Sequence, residues 1–250
     1  MSGHSKWSTI KRKKGATDAK RGKTFTKYIK EITVAAKNGG GDQAANPRLR
    51  TAIAGAKSVN MPADNIERAI KKGTGELPGV TYEEVTYEGY GPGGIAILID
   101  TLTDNRNRTT GEIRHILMKA GGRMAELGSV QWMFHQKGTI AVPRSAADED
   151  TVLGLVLDAG AEDVSLDDAE VYEIMTPPQA FEAVKTALQG KNIPTTAAEI
   201  SKIAQNTISL SEKDAEQALK LMETLEDNDD VQRVSSNLDI TDEVLARIQS

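Results

Sequence analysis

Cysteine is absent from all 250 residues, which excludes a disulfide framework, a thiolate nucleophile and a cysteine-based zinc site. Aromatics are scarce, with 3 Phe, 5 Tyr and 2 Trp, so any core is built from Leu, Ile, Val and Ala, a palette that favours helices and small α+β layers. The longest strongly apolar run, Ile95 to Ile99, falls far short of the ~20 residues that cross a bilayer. No apolar h-region follows the basic start, so an unprocessed, soluble, cytoplasmic chain with no membrane partner is expected. Histidine is limited to His4, His115 and His135, too scattered to share a metal. Glu112 and His115 do spell Glu-x-x-His, but the di-iron bundles that use this pair need two copies and further Glu residues, so no metal is expected.

Acidic residues are nearly missing from one end. Residues 1–72 hold 17 Lys and Arg against 5 Asp and Glu, a balance of +12, whereas the other 178 residues hold 14 basic and 31 acidic residues, a balance of −17. The net charge of −5 therefore conceals a strongly dipolar molecule, and the basic end asks for a polyanion.

The basic end opens with His4, Lys6 and Trp7 and continues through Lys11, Arg12, Lys13 and Lys14 without an apolar period. This reads as a basic arm; a solvated tail is the alternative, and Trp7 either stacks on a base or staples the arm to the helices. From Asp18 the pattern turns helical. On a wheel of 100° steps Phe25, Ile29, Ile32 and Ala36 cluster on one side, while Lys20, Lys23, Lys27 and Lys30 fall opposite, with only Glu31 to pair them and Arg21 adding charge. The row of ammonium groups is expected to face outward and to meet phosphate.

That helix is expected to stop at Asn38-Gly39, followed by a mobile loop through Gly39, Gly40, Gly41 and Asp42 to Asn46, beside which Arg48 and Arg50 sit. Asn46-Pro47 reads as an N-cap with Pro in the first turn, Leu49, Ala52, Ile53 and Ala56 as a buried face, and Pro62 to Lys72 as a third helix closed by Gly73. The glycine loop lacks the Gly-Lys-Ser/Thr of a Walker cradle.

After a linker at Gly73 to Gly79, Tyr82 to Tyr90 and Ile95 to Leu102 read as strands. Gly89 to Gly94 between them spells G-x-G-x-x-G, but strand rather than helix follows, so a dinucleotide fingerprint is rejected in favour of a turn. Asp104 to Thr109 leads into a helix to Ala120, where Arg106 and Arg108 oppose the macrodipole unless an anion or a domain contact uses them; Asp104 is expected to cap that helix and pair with Arg106. A strand Gly128 to His135 precedes a βαββαβ run over 138–205, with 4 basic and 12 acidic residues; a last helix, Ser211 to Leu225, and a last strand, Val231 to Ser235, complete the middle sheet.

The fold class is therefore α+β and multidomain: an N-terminal three-helix domain over 1–78, then two α+β, ferredoxin-like sandwiches, the acidic one (138–205) inserted into the middle one (79–137 plus 206–250), with three sequential domains as the alternative.

Six runs together resemble the YebC/PmpR family, which includes a mitochondrial translational activator of cytochrome c oxidase: Gly3-His4-Ser5-Lys6-Trp7, Asp18-Ala19-Lys20-Arg21-Gly22-Lys23, Gly39-Gly40-Gly41-Asp42, Asn46-Pro47-Arg48-Leu49-Arg50, Glu88 to Gly94, and Asp104 to Thr109. The resemblance spans essentially the whole chain. It implies three domains, no catalytic site and a DNA-binding transcriptional regulator, with family members also placed on the ribosome. Two expectations follow: a non-enzymatic regulator that binds DNA with little sequence preference, or a translation factor that holds ribosomal RNA through the basic domain and its glycine-rich loop. No cofactor and no small-molecule substrate are expected, because no nucleophile, metal cluster or paired-carboxylate pattern is present.

Overall fold

The computed structural model describes residues 18–166 and 168–240, with side chains from residue 22 onward. Three helices open the described chain: α1 (Asp18–Gly39), α2 (Pro47–Ser58) and α3 (Ala63–Thr74). They pack because each presents one apolar stripe. Ile32, Ala35 and Ala36 of α1 bury against Leu49, Ala52, Ile53 and Ala56 of α2 and Ile66 and Ala69 of α3, with Phe25 and Ile29 partly buried at the margin. The third helix does not stop at Gly73, as its sequence suggests. Gly73 lies inside α3, where a Cβ would come within 2.3 Å of the Thr33 carbonyl oxygen, so its smallness lets two helices cross; the cap is Gly75, at φ +84°.

The chain then forms β1 (Glu83–Tyr90), β2 (Ala96–Thr103), α4 (Arg106–Lys119) and β3 (Arg123–Met124). Next come β4 (Phe134–Pro143), α5 (Glu149–Asp158), β5 (Asp163–Ser165), β6 (Val171–Thr176), α6 (Phe181–Gly190), β7 (Ala197–Ala204) and β8 (Ile208–Ser209). Last are α7 (Glu212–Glu226), β9 (Val231–Ser236) and β10 (Leu238–Asp239). The architecture is α+β, with seven α-helices and two four-stranded sheets among the described residues. No helix among them is long and apolar enough to cross a membrane.

Two compact units divide the described residues: 18–129 with 211–234, and 130–210 with 235–240. In the first, strand order is β3-β1-β2-β9, so a strand from beyond the acidic segment completes the sheet. The apolar run Ile95 to Ile99, Leu219, Leu221, Met222 and Leu225 of α7, and Ile113 and Leu117 of α4 are buried in this unit.

In the second unit the order β5-β6-β4-β7 is antiparallel throughout, the arrangement of a ferredoxin-like sandwich, with Ile140, Ile174, Val152, Val156, Val184 and Leu188 buried between sheet and helices. The separate strands expected at Gly128 to His135 and from Gly138 are instead a 3₁₀ turn (Gln131–Met133) and one continuous β4. Gly138 is no break. A Cβ there would lie 2.3 Å from Thr176 Oγ1 and 2.5 Å from the Phe181 ring, so glycine marks a close approach in the middle of a strand, and the expected junction at residue 138 cuts through β4.

Candidate nucleic-acid interface

The expected binding residues separate into three groups. His4, Lys6, Trp7, Lys11, Arg12, Lys13 and Lys14 lie outside the described residues, as do the side chains of Lys20 and Arg21.

The second group, expected to be free for phosphate, is engaged by other parts of the chain. Lys23 Nζ donates to the Asp227 carbonyl at 2.9 Å and Lys27 Nζ to the Glu226 carbonyl at 2.6 Å. Lys30, only 7% exposed, donates to Asp230 Oδ1 at 2.6 Å, to the Asp229 carbonyl at 2.9 Å and to the Leu102 carbonyl at 3.4 Å, which uses all three of its hydrogens. The lysine row caps the C-terminal end of α7, where the last carbonyls of a helix lack intrahelical partners and carry the negative end of the macrodipole. The wheel placed these residues opposite the first core correctly; it could not show a second body on that side.

Asp230, 3% exposed, is the hub. Its Oδ2 accepts from Arg108 at 2.7 Å, from Thr109 at 2.6 Å and from Thr103 at 3.2 Å. Burial pushes this carboxyl upward, but the hydrogen bonds from Arg108, Lys30 and Thr109 outweigh it and hold the group lowered to about 2. Arg108 also reaches Asp104 at 2.8 Å. So Asp104 pairs with Arg108 rather than Arg106, and the N-cap of α4 is Asn105, which accepts from the Arg108 backbone at 3.1 Å. Arg106 stays exposed at the helix start. Glu112, half of the Glu-x-x-His pair, accepts from the Asn228 amide at 2.7 Å.

The third group surrounds the glycine-rich loop, which is braced by hydrogen bonds. Asn46 Nδ2 donates to the Ala35 and Gly40 carbonyls, both at 2.8 Å, while its Oδ1 accepts from Leu49 N at 3.0 Å. Gly39 is required because a Cβ there would sit 2.6 Å from that amide, and Gly40 adopts φ +82°. Asp42 Oδ1 accepts from Ala44 N at 2.9 Å, and Arg50 Nη1 donates to the Gln43 carbonyl at 2.9 Å. A Cβ at Gly41 would come within 3.1 Å of Ile70 and Thr74. Asp42 to Ala45 is left exposed on this frame. Arg48 is not free for phosphate: it forks onto Glu31 at 2.7 and 3.1 Å and reaches Glu84 at 2.8 Å, contacts that raise its pKa further despite partial burial.

Asn46→Ala is expected to lower stability by about 1–2 kcal/mol, because it removes a helix cap and two bonds that close the loop. Urea unfolding measures the loss, and faster amide exchange over 41–46 should accompany it. Unchanged exchange would mean that the loop holds itself.

Sequence reasoning missed Lys57. On α2 the exposed residues Arg50, Ala54 and Lys57 recur at i, i+4 and i+7, hence on one face, and the helix contains no Asp or Glu. Lys57 makes no ion pair among the described residues. The short run Arg-Leu-Arg…Lys over 48–57 carried that signal.

The fold and the charge layout define a multidomain α+β protein whose cation-rich three-helix end is joined to two sheet layers, with no cluster of three metal-ligating side chains among the described residues. The family it belongs to is TACO1/YebC. The TACO1/YebC protein N-terminal domain matches residues 5–76, and the TACO1/YebC second and third domain matches residues 82–238. Two relatives bear the name probable transcriptional regulatory protein: one from Chlorobaculum parvum, 57% identical over 249 residues (100% of this chain, 99% of that one), and one from Desulfatibacillum aliphaticivorans, 58% identical over 245 residues (98% and 99%). The crystal structure of a conserved hypothetical protein from Aquifex aeolicus superposes with a TM-score of 0.81 at 47% identity, covering 91% of this chain and 94% of that one.

Proposed function

We propose that this protein is a non-enzymatic, DNA-binding regulator of gene expression, acting in the cytoplasm through the helical end over 1–78, with the middle sheet and the acidic insertion serving other contacts. The observation that carries the reading is the acid-free exposed face of α2, Arg50, Ala54 and Lys57, alongside a sequence run, Lys11 to Lys14, of four consecutive cations. The relatives' name, probable transcriptional regulatory protein, supports it. The face lacks the Asn and Gln side chains that read base edges bidentately, so affinity comes from phosphate contacts and sequence preference is weak.

The test is the salt dependence of binding by the full chain to duplex DNA. Each lost phosphate contact flattens the slope of log affinity against log salt by ~0.9. Replacing Lys11, Arg12, Lys13 and Lys14 together by Gln is expected to flatten it by ~3–4 units, and Arg50→Gln with Lys57→Gln by ~2. Unchanged slopes in both variants would overturn the reading. A second reading, a ribosome-associated factor that holds ribosomal RNA, is favoured by one observation: Asp42 to Ala45 is exposed on a loop that Arg50 and Asn46 tie down by hydrogen bonds. Tighter binding to a ribosomal RNA fragment than to DNA at matched salt, weakened by changes at 42–45, would select it.

A further inference from the structure

The lysine row of α1 has the spacing for a phosphate backbone, yet its surroundings carry the wrong sign. The last residue of α7, Glu226, and the turn after it, Asp227, Asn228, Asp229 and Asp230, offer carbonyls that hold all three ammonium groups of Lys23, Lys27 and Lys30. A cavity of about 530 Å³ opens along the contact, where Lys23, Lys30 and Arg108 face five carboxylates, those of Asp104, Glu112 and the Asp227 to Asp230 turn. A phosphate approaching here is repelled by the excess of acids before it reaches a lysine.

The geometry points to an internal clamp: the acidic turn after α7 occupies the lysine row of α1, and that row meets nucleic-acid phosphate only when the turn lets go. The inference rests on the nucleic-acid reading above and adds regulation to it. Both occupants offer a lysine an acceptor oxygen, a backbone carbonyl of the turn for Lys23 and Lys27 or a phosphate oxygen, and the turn holds the advantage of being covalently attached. Lys30 and Asp230 are the bolt, because they are buried and matched at 2.6 Å, whereas Lys23 is exposed and Lys27 half-buried, so these two exchange partners with least reorganisation. With the turn closed the chain binds through its other cations alone, so it makes fewer phosphate contacts and its affinity depends less steeply on salt. Anything that loosens the turn therefore tightens binding.

Duplex-DNA titrations of the full chain test this with Asp230→Asn, which removes the charge of the bolt. The slope of log affinity against log salt is expected to steepen by ~2 units as Lys23 and Lys27 gain phosphate contacts. Affinity at low salt should rise with these added contacts. Should Asp230→Asn be unfolded by circular dichroism, Asp227→Asn with Asp229→Asn, both exposed, loosens the same turn. Glu216→Gln with Asp64→Asn makes the same change in net charge away from it and should leave the slope unaltered. Adding Lys23→Gln and Lys27→Gln to an opened variant should abolish its gain. If the wild-type chain binds and the folded, opened variants bind with the wild-type slope, the clamp is overturned and the nucleic-acid reading stands. If no form binds in a salt-dependent way, that reading falls, and the clamp with it.

Discussion

Replacing Asp230 by Ala should lower the unfolding free energy by about 3–5 kcal/mol, because it strands the ammonium of Lys30 in a site where that residue is 7% exposed. The cost comes from the uncompensated charge more than from the lost pair itself, since a buried ion pair roughly offsets its own desolvation. Thr103, Thr109 and Arg108 would lose the same acceptor. Removing both charges, as Asp230→Leu with Lys30→Met, should therefore recover much of the loss. Urea titrations of the single and double variants measure both effects. A single variant within about 1 kcal/mol of wild type would show that water reaches Lys30.

The same carboxylate sets an acid limit. Its folded pKa is lowered to about 2, below the ~3.9 of an unfolded Asp. A depressed carboxylate contributes stability that is fully present above the unfolded value and is lost as pH falls through the folded one. About 2 kcal/mol should thus disappear between roughly pH 4 and pH 2, and the acid limb of the stability curve should flatten in Asp230→Asn.

Gly73→Ala should be destabilising by about 2 kcal/mol, although Ala normally strengthens a helix interior by ~1 kcal/mol over Gly. The added methyl meets the Thr33 carbonyl oxygen at 2.3 Å and Ala36 Cβ at 2.7 Å, and neither can rotate aside, so α1 and α3 must part. Gly111→Ala in α4 is the control: nothing lies within 4 Å of its Cβ position, and it should stabilise by up to ~1 kcal/mol. Thermal unfolding of the two variants should move in opposite directions. Shifts of the same sign would refute the close crossing of α1 and α3.

These glycines and lysines also separate what the chain reveals by itself from what it conceals. The sequence alone determined the α+β class, the cap at Asn46-Pro47, the core-facing apolar stripe Phe25, Ile29, Ile32 and Ala36, and the acidic βαββαβ run, because periodicity and capping act over one or two helical turns and can be read locally. It also showed that charge is segregated along the chain. Tertiary structure alone decided the fate of that charge. Lys30 and Asp230 are 200 residues apart, and no local pattern shows that the end of α7 lies against α1. Gly73 and Gly138 read as stops for the same reason: a glycine that ends an element and one that admits a neighbouring backbone or ring are identical in sequence, and only the partner, Thr33 in one case and Phe181 in the other, tells them apart.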